Sequence, residues 1–232
     1  QHQSITGDSV EYSLTNNGKD LLIKTNSGTL TVENYGKENL GASLNLLYSD
    51  GLLTNADIDA MFQNKTYTHN SGTLNLSNSR FDEIIDAEAA VAAKETVRVK
   101  KGKKWVNVTR DTLNGVNVYG GSGSDVITGS SYNDIISGGA GNNTINFKSG
   151  FGDDTVILTQ GETLTLDLTE LSEINSGDIK YTINGSDFII TTDEGSITLK
   201  DYAAEKTASS VTVKTSDNTS GFSLEDVSIT VD

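Results

Sequence analysis

Gly120-Gly-Ser-Gly-Ser-Asp-Val-Ile-Thr128, Gly129-Ser-Ser-Tyr-Asn-Asp-Ile-Ile-Ser137 and Gly138-Gly-Ala-Gly-Asn-Asn-Thr-Ile-Asn146 are three consecutive nine-residue units with one layout. Each opens on glycine, carries a carboxylate or amide sixth (Asp125, Asp134, Asn143) and an aliphatic eighth (Ile127, Ile136, Ile145). A fixed period of this kind marks stacked structural units. In each unit the first six residues read as a turn and the last three as a short strand. So tight a turn needs backbone conformations that glycine reaches without steric cost. The eighth positions should point inward, so that Val118, Ile127, Ile136 and Ile145 stack as one aliphatic ladder. Strands this short cannot hold themselves together, and ordering the glycines costs further entropy. Another source of stabilisation is required.

Calcium fits that role, because it is bound by several carboxylate and carbonyl oxygens at once. Turn carbonyls and the sixth-position carboxylate would converge between stacked turns. Turns two units apart fall on the same side, so Asp125 should share an ion with the Asn143 turn. Asp134 should share one with the Gly150–Asp154 turn, where Asp153 or Asp154 contributes. The candidate ligand set is therefore Gly120, Ser122, Ser124, Asp125, Gly129, Asn133, Asp134, Gly138, Ala140, Asn142, Asn143, Gly150, Gly152, Asp153 and Asp154. Asn143 stands where a carboxylate would, and Ser130, Ser131 and Tyr132 stand where glycine or small residues would. Fewer charges lower the affinity toward about 10⁻⁴–10⁻³ M. Backward extension is poor, since Val116 occupies the preceding sixth position.

The rest of the composition agrees. The 232 residues hold 17 Lys and Arg against 32 Asp and Glu, a net charge of −15. That balance argues against nucleic-acid or anionic-membrane partners, which need a basic face. With no cysteine there are no disulfides or thiolate metal sites, and His2 and His69 alone leave little for a zinc or triad enzyme. Hydrophobic content is 34%, which suits a thin repetitive core. Proline is absent, and no signal peptide or membrane-spanning apolar run is visible. The chain does not begin with Met and reads as a segment of something longer.

A second repeat spans a greater distance. Ile5–Tyr35 and Ile174–Tyr202 align with Gly7 against Gly177, Asp8 against Asp178, Tyr12 against Tyr181 and Asp20 against Asp187. Leu21-Leu-Ile23 then matches Phe188-Ile-Ile190, Gly28 matches Gly195, and Tyr35 matches Tyr202. Each copy reads as three short strands, the first ending near its first tyrosine. Between the copies, a helix is expected over Thr54–Phe62, capped by Thr54, with Ile58, Met61 and Phe62 on one face. A second is expected over Phe81–Lys94, with Asp82 and Glu83 in its first turn and an Ala-rich middle. Thr73–Ser77 alternates like a strand. Val97–Val108 reads as a hairpin turning at Gly102, whose lysines block edge-to-edge sheet pairing.

The nonapeptides resemble the repeats-in-toxin (RTX) family, proteins exported by type I secretion from Gram-negative bacteria. The resemblance continues through the closing turn Phe147–Val156 and the flank Tyr181–Tyr202. It implies an all-β fold with minor α: a calcium-binding parallel β-roll flanked by short strands, hairpins and one or two short helices. It implies Ca²⁺ as the bound ion, with about one or two ions in the array and another near the closing turn. It further implies a chain that stays unfolded in the calcium-poor cytosol and folds on emergence from the export apparatus. Metal binding that creates its own site is folding free energy, which agrees. The expected layout is the flank of a preceding block (1–50), an inter-block segment (51–110), the roll (111–158), its flank (159–205) and a trailing strand or tail (206–232). The tail, from Ala208 to Asp232, resembles the family's uncleaved export signal and also reads as an ordinary last strand. The implied parent is a secreted or surface toxin, adhesin or S-layer protein, and the chain is no enzyme. The competing reading is a calcium-stabilised module that binds a cell surface or glycan through Tyr67, Trp105 and Tyr119.

Overall fold

The computed structural model describes residues 10–37, 44, 46–48, 51–91, 94–101, 104–112, 114–202 and 210–223. They are mostly β, with one α-helix among them. Strands β1 (Glu11–Thr15), β2 (Asp20–Thr25) and β3 (Gly28–Val32) form a small antiparallel sheet, followed by the hairpin β4 (Leu46–Tyr48) and β5 (Gly51–Leu53). Helix α1 (Asn55–Phe62) starts where expected, because its capping box is complete. Thr54 Oγ accepts from Asp57 N, and the Asp57 carboxylate accepts from Thr54 N at 2.8 Å. Ile58 and Phe62 are buried against Leu21, Tyr35 and Phe81, whereas Met61 faces solvent rather than joining them.

The second expected helix does not form. Within Phe81–Lys94 the chain is instead strand β8 (Glu83–Asp86), after β6 (Lys65–Thr68) and β7 (Thr73–Asn75). Ile84 and Ile85 pair in parallel with Val126 and Ile127, and this long-range pairing outweighs the helix preference of the alanines. The expected hairpin is present as β9 (Lys94–Lys101) against β10 (Lys104–Asp111), a two-stranded unit; its turn at Gly102 lies outside the described residues.

The nonapeptide units give β11 (Asn114–Tyr119), β12 (Val126–Thr128), β13 (Asn133–Ser137) and β14 (Asn142–Asn146), continued by β15 (Gly152–Ile157) and β16 (Thr163–Asp167). From β11 to β16, successive strands alternate between two seven-stranded sheets. One runs from β7 through β11, β13 and β15 to β19 (Gly195–Lys200), β18 (Asp187–Thr192) and β17 (Lys180–Asn184). The other runs from β6 through β8, β12, β14 and β16 to β20 (Ser210–Lys214) and β21 (Phe222–Ser223). Pairing from β6 and β7 as far as β19 and β20 is parallel, and the hairpin strands at the far ends are antiparallel.

The single aliphatic ladder expected from the period is in fact two. Val118, Ile136, Val156 and Leu199 are register partners in one sheet. Ile85, Ile127, Ile145, Leu166 and Val213 are partners in the other. All nine side chains are fully buried in one cluster. Full burial stabilises by about 1.5–3 kcal/mol for each side chain of this size. The nine-residue period places each unit on the opposite sheet from the last. The parallel pairing also extends back to β6, β7 and β8, further than Val116 suggested.

The distant duplication is structural. β1–β3 and β17–β19 share one register, with Asp20 opposite Thr15 as Asp187 is opposite Asn184, and Thr25 opposite Gly28 as Thr192 is opposite Gly195. Asp20 Oδ1 accepts from Asn34 N at 2.8 Å, and Asp187 Oδ1 accepts from Asp201 N at 2.9 Å. Asn34 and Asp201 both adopt the left-handed region (φ 60° and 55°), a bend that drops the next residue, Tyr35 or Tyr202, into the core. That explains why the aspartate and tyrosine recur. In both copies the first strand begins beside the first tyrosine rather than ending there; the pairings of Gly7 and Asp8 lie outside the described residues.

Candidate metal centre

At the two edges where the chain passes between sheets, acidic side chains stack in two rows. In one row Val116 N donates to Asp134 Oδ1 and Asp134 N donates to Asp154 Oδ1, both at 2.8 Å. In the other, Glu83 N donates to Asp125 Oδ1 at 2.8 Å and Asp125 N to Asn143 Oδ1 at 2.9 Å. That row ends where Asn143 Nδ2 donates to Glu162 Oε1 at 3.0 Å. The turns add further donors to Asp125 and Asp134. Gly121 N reaches Asp125 Oδ2 (3.1 Å), while Ser130 N and Oγ reach Asp134 Oδ2 (2.6 Å) and Oδ1 (2.7 Å).

The leading glycines are there to make room. A Cβ on Gly120 would stand 2.4 Å from Asp125 Oδ2 and 2.5 Å from the Gly138 carbonyl oxygen, which no side chain can do. Gly139 and Gly141 also require positive φ (87° and 97°).

These carboxyls are out of water, with Glu83, Asp125, Asp134 and Asp154 at most 1% exposed. Burial, reinforced by Asp134 and Asp153, pushes the Asp154 carboxyl up to about 9. Burial, then contact with Asp125, raises Glu83 to about 9, and burial raises Asp125 and Glu162 as well. Asp154 Oδ2 and Glu83 Oε2 are buried without any hydrogen-bond partner. Orphaned anionic oxygens of this sort carry a large desolvation cost unless a proton or cation meets them.

Residues 119–156 match the family model of the RTX calcium-binding nonapeptide repeat, in four copies. This stretch is an RTX calcium-binding array. No curated protein matched the chain. RTX nonapeptide repeats bind Ca²⁺, and the array fits the ion: the orphaned Asp154 Oδ2 is a hard oxygen donor, buried next to Asp134. Among the described residues no three Asp, Glu or His side chains converge on one point, so carbonyls must supply most of any shell.

The structure divides the residues expected to bind. Asp125, Asp134, Asn143 and Asp154 stand in the rows, with the Gly120, Gly129 and Gly138 backbone against them. Ala140 O lies 3.4 Å from Asn143 Nδ2, and Asn133 Oδ1 accepts from Asp153 N at 3.0 Å, next to Gly152. Ser122 and Ser124 face the Ser79–Asp82 turn, through Ser79 O and Asp82 Oδ1. Asn142 is exposed. Gly150 N is engaged by Glu194, and the exposed Asp153 by Ser196 Oγ, so these two point away from the rows. Two row members were missed from sequence, Glu83 and Glu162. Glu83 could have been found: Glu83-Ile-Ile repeats the order of Asp125-Val-Ile.

Proposed function

We propose that the array and its neighbouring parallel strands are a calcium β-roll whose folding is driven by Ca²⁺. The observation that carries this reading is the buried Asp134–Asp154 pair, in which Asp154 Oδ2 has no partner. Calcium supplies the positive charge that lets the Asp154 carboxyl stay ionised out of water. Asp134 and Asp154 hold one ion and Asp125 with Asn143 another, each completed by turn oxygens from the candidate set. Ser130 and Gly121 orient the carboxylates.

The wider role is what the likeness to RTX repeats suggests. Calcium is scarce in the cytosol and plentiful outside, so the chain would pass a type I export channel unfolded and fold at the cell surface or beyond. We read it as a structural calcium module, not an enzyme, of a large extracellular bacterial toxin, adhesin or S-layer protein. Within that reading, residues 1–50 are the flank of a preceding block, 51–110 link the blocks, 111–158 are the roll, 159–205 its flank and 206–232 the tail. RTX repeats occur in secreted proteins, and no helix of the described residues is long and apolar enough to cross a membrane.

Far-ultraviolet circular dichroism of the chain tests the proposal. Chelated protein should lack most of its β signal and millimolar calcium should restore it; identical spectra overturn the reading. A second reading, a glycan-binding module, draws on a cleft of about 480 Å³ lined by Asn114, Asn117, Asn133 and Asp153. Those amide and carboxylate groups suit sugar hydroxyls. Tyr67 does not serve it, being packed against the core. Saturable binding on a glycan array would favour this alternative.

A further inference from the structure

We propose a further calcium site at the seam between the Ser79–Glu83 turn and the Gly120–Asp125 turn, held by the Glu83 and Asp125 carboxylates and completed by turn carbonyls. It rests on the reading that the rows hold calcium. It extends that reading to a turn outside the matched 119–156 array and without its glycines.

Register places Glu83 in the role of a sixth-position aspartate. Ile84, Ile85 and Asp86 pair with Val126, Ile127 and Thr128, so Glu83 precedes its strand as Asp125 precedes its own. The link between the turns also repeats: Glu83 N donates to Asp125 Oδ1 at 2.8 Å, as Asp134 N does to Asp154 Oδ1. Glu83 is 1% exposed. Ser79 Oγ engages Oε1, whereas Oε2 has no partner.

Two touching buried carboxylates repel unless a cation or a proton lies between them. Among the described residues no lysine or arginine forms an ion pair with either. Arg80, the nearest in sequence, is committed to Asp59 at 2.6 Å. The carbonyl oxygen of Phe81 faces the incoming turn, 2.1 Å from where a Cβ on Gly123 would stand, while that of Ser79 already accepts from Ser122 N at 2.7 Å. The far end of the same row needs no ion, because the Asn143 amide bonds Glu162 directly.

The seam site would join two hydrophobic clusters. Phe81 belongs with Phe62, at 5.6 Å between ring centroids, and with Tyr35 in the cluster under α1 and β1–β3, while Ile85 lies in the array's core. Calcium at Glu83 would therefore couple the first flank to the folding of the array.

Equilibrium dialysis of the full chain against calcium decides the matter. Glu83→Gln should bind one ion fewer than the unsubstituted chain, and Asp134→Asn should independently lose a different one. An unchanged count in Glu83→Gln overturns the seam site and leaves the array reading intact; it would mean that the two carboxyls share only a proton. No calcium bound by the unsubstituted chain overturns both. Should Glu83→Gln fail to fold in calcium, Glu83→Asp keeps the charge one methylene short. It should raise the calcium midpoint several-fold, and an unmoved midpoint refutes the site.

Discussion

Removing calcium should invert the pH dependence of stability. Asp154 is buried, its Oδ2 has no partner, and its carboxyl is pushed from 3.8 to about 9. The sign follows from proton counts. The metal-free folded chain holds a proton on Asp154 across a window, about pH 4 to about pH 9, in which the unfolded chain has released it. A folded state that binds more protons loses stability as pH rises. At about 1.4 kcal/mol per pH unit, the rise from about pH 4 to about pH 7 costs on the order of 4 kcal/mol from Asp154 alone. Glu83, also raised to about 9, acts in the same direction together with Asp125. A domain has only about 5–15 kcal/mol to lose. With calcium the slope reverses, because the ion binds carboxylates and competes with protons. The far-ultraviolet β signal of the metal-stripped chain should therefore be partly recovered toward about pH 5 and lost by about pH 8, whereas the thermal midpoint in millimolar calcium should rise over that range. A metal-free β signal that is flat, or that climbs with pH, refutes the placement of these carboxyls.

Four further outcomes are expected. Gly120→Ala forces a Cβ to 2.4 Å from Asp125 Oδ2, so its calcium midpoint in a dichroism titration should rise about tenfold or more, about 1.4 kcal/mol per tenfold. Gly177→Ala, with nothing within 4 Å of the new Cβ, should stay within about 0.5 kcal/mol of the unsubstituted chain. Leu30 and Ile197 hold equivalent places in the duplicated flanks, yet Leu30 is 53% exposed on an edge strand and Ile197 is fully buried beside β15. Leu30→Lys should therefore be nearly neutral in urea denaturation, whereas Ile197→Lys should cost several kcal/mol, more than the roughly 2–5 of an Ile→Ala truncation. Finally, Asn143→Asp removes the amide that bonds Glu162 and sets two carboxylates together. It should destabilise the metal-free chain and add one bound ion in calcium, counted by dialysis.

What could be read from the sequence is what local chain geometry repeats. A turn and strand of fixed length fix the glycine, the carboxylate and the inward aliphatic, so the array was visible. So was α1, since a capping box lies within four consecutive residues. Of the parallel strands before the array only β7 was, from the alternation of Thr73–Ser77. β8 owes its conformation to Val126 and Ile127, some forty residues on, and its turn has Arg80 and Phe81 where the array has Ser122 and Gly123. No local signal outweighed the alanines that follow it. The period placed turns two units apart on the same side but did not divide the inward aliphatics into two ladders, because that depends on how far each turn carries the chain around. Asp153 and Asp154 were inseparable for the same reason. Adjacent residues in a strand point to opposite faces, and only the pairing of β15 with β13 and β19 decides which one faces the row.

The step that the rows add is a distinction between kinds of contact. Where an acid follows an acid along a row, as at Asp134–Asp154 and Glu83–Asp125, an oxygen is left over. Where an amide intervenes, as at Asn143–Glu162, the hydrogen bond closes the row and no oxygen is stranded. Asn143 is thus more than a weakened aspartate. It can accept from Asp125 N through its carbonyl oxygen and donate to Glu162 through its nitrogen, which no carboxylate can do while ionised. That lets one row end without a further ion, against β16, and hands the chain to the parallel strands β16 and β20, which close with no sixth-position acid of their own. On the proposed reading, calcium demand would be set step by step by which neighbour each turn meets, not by the number of repeats.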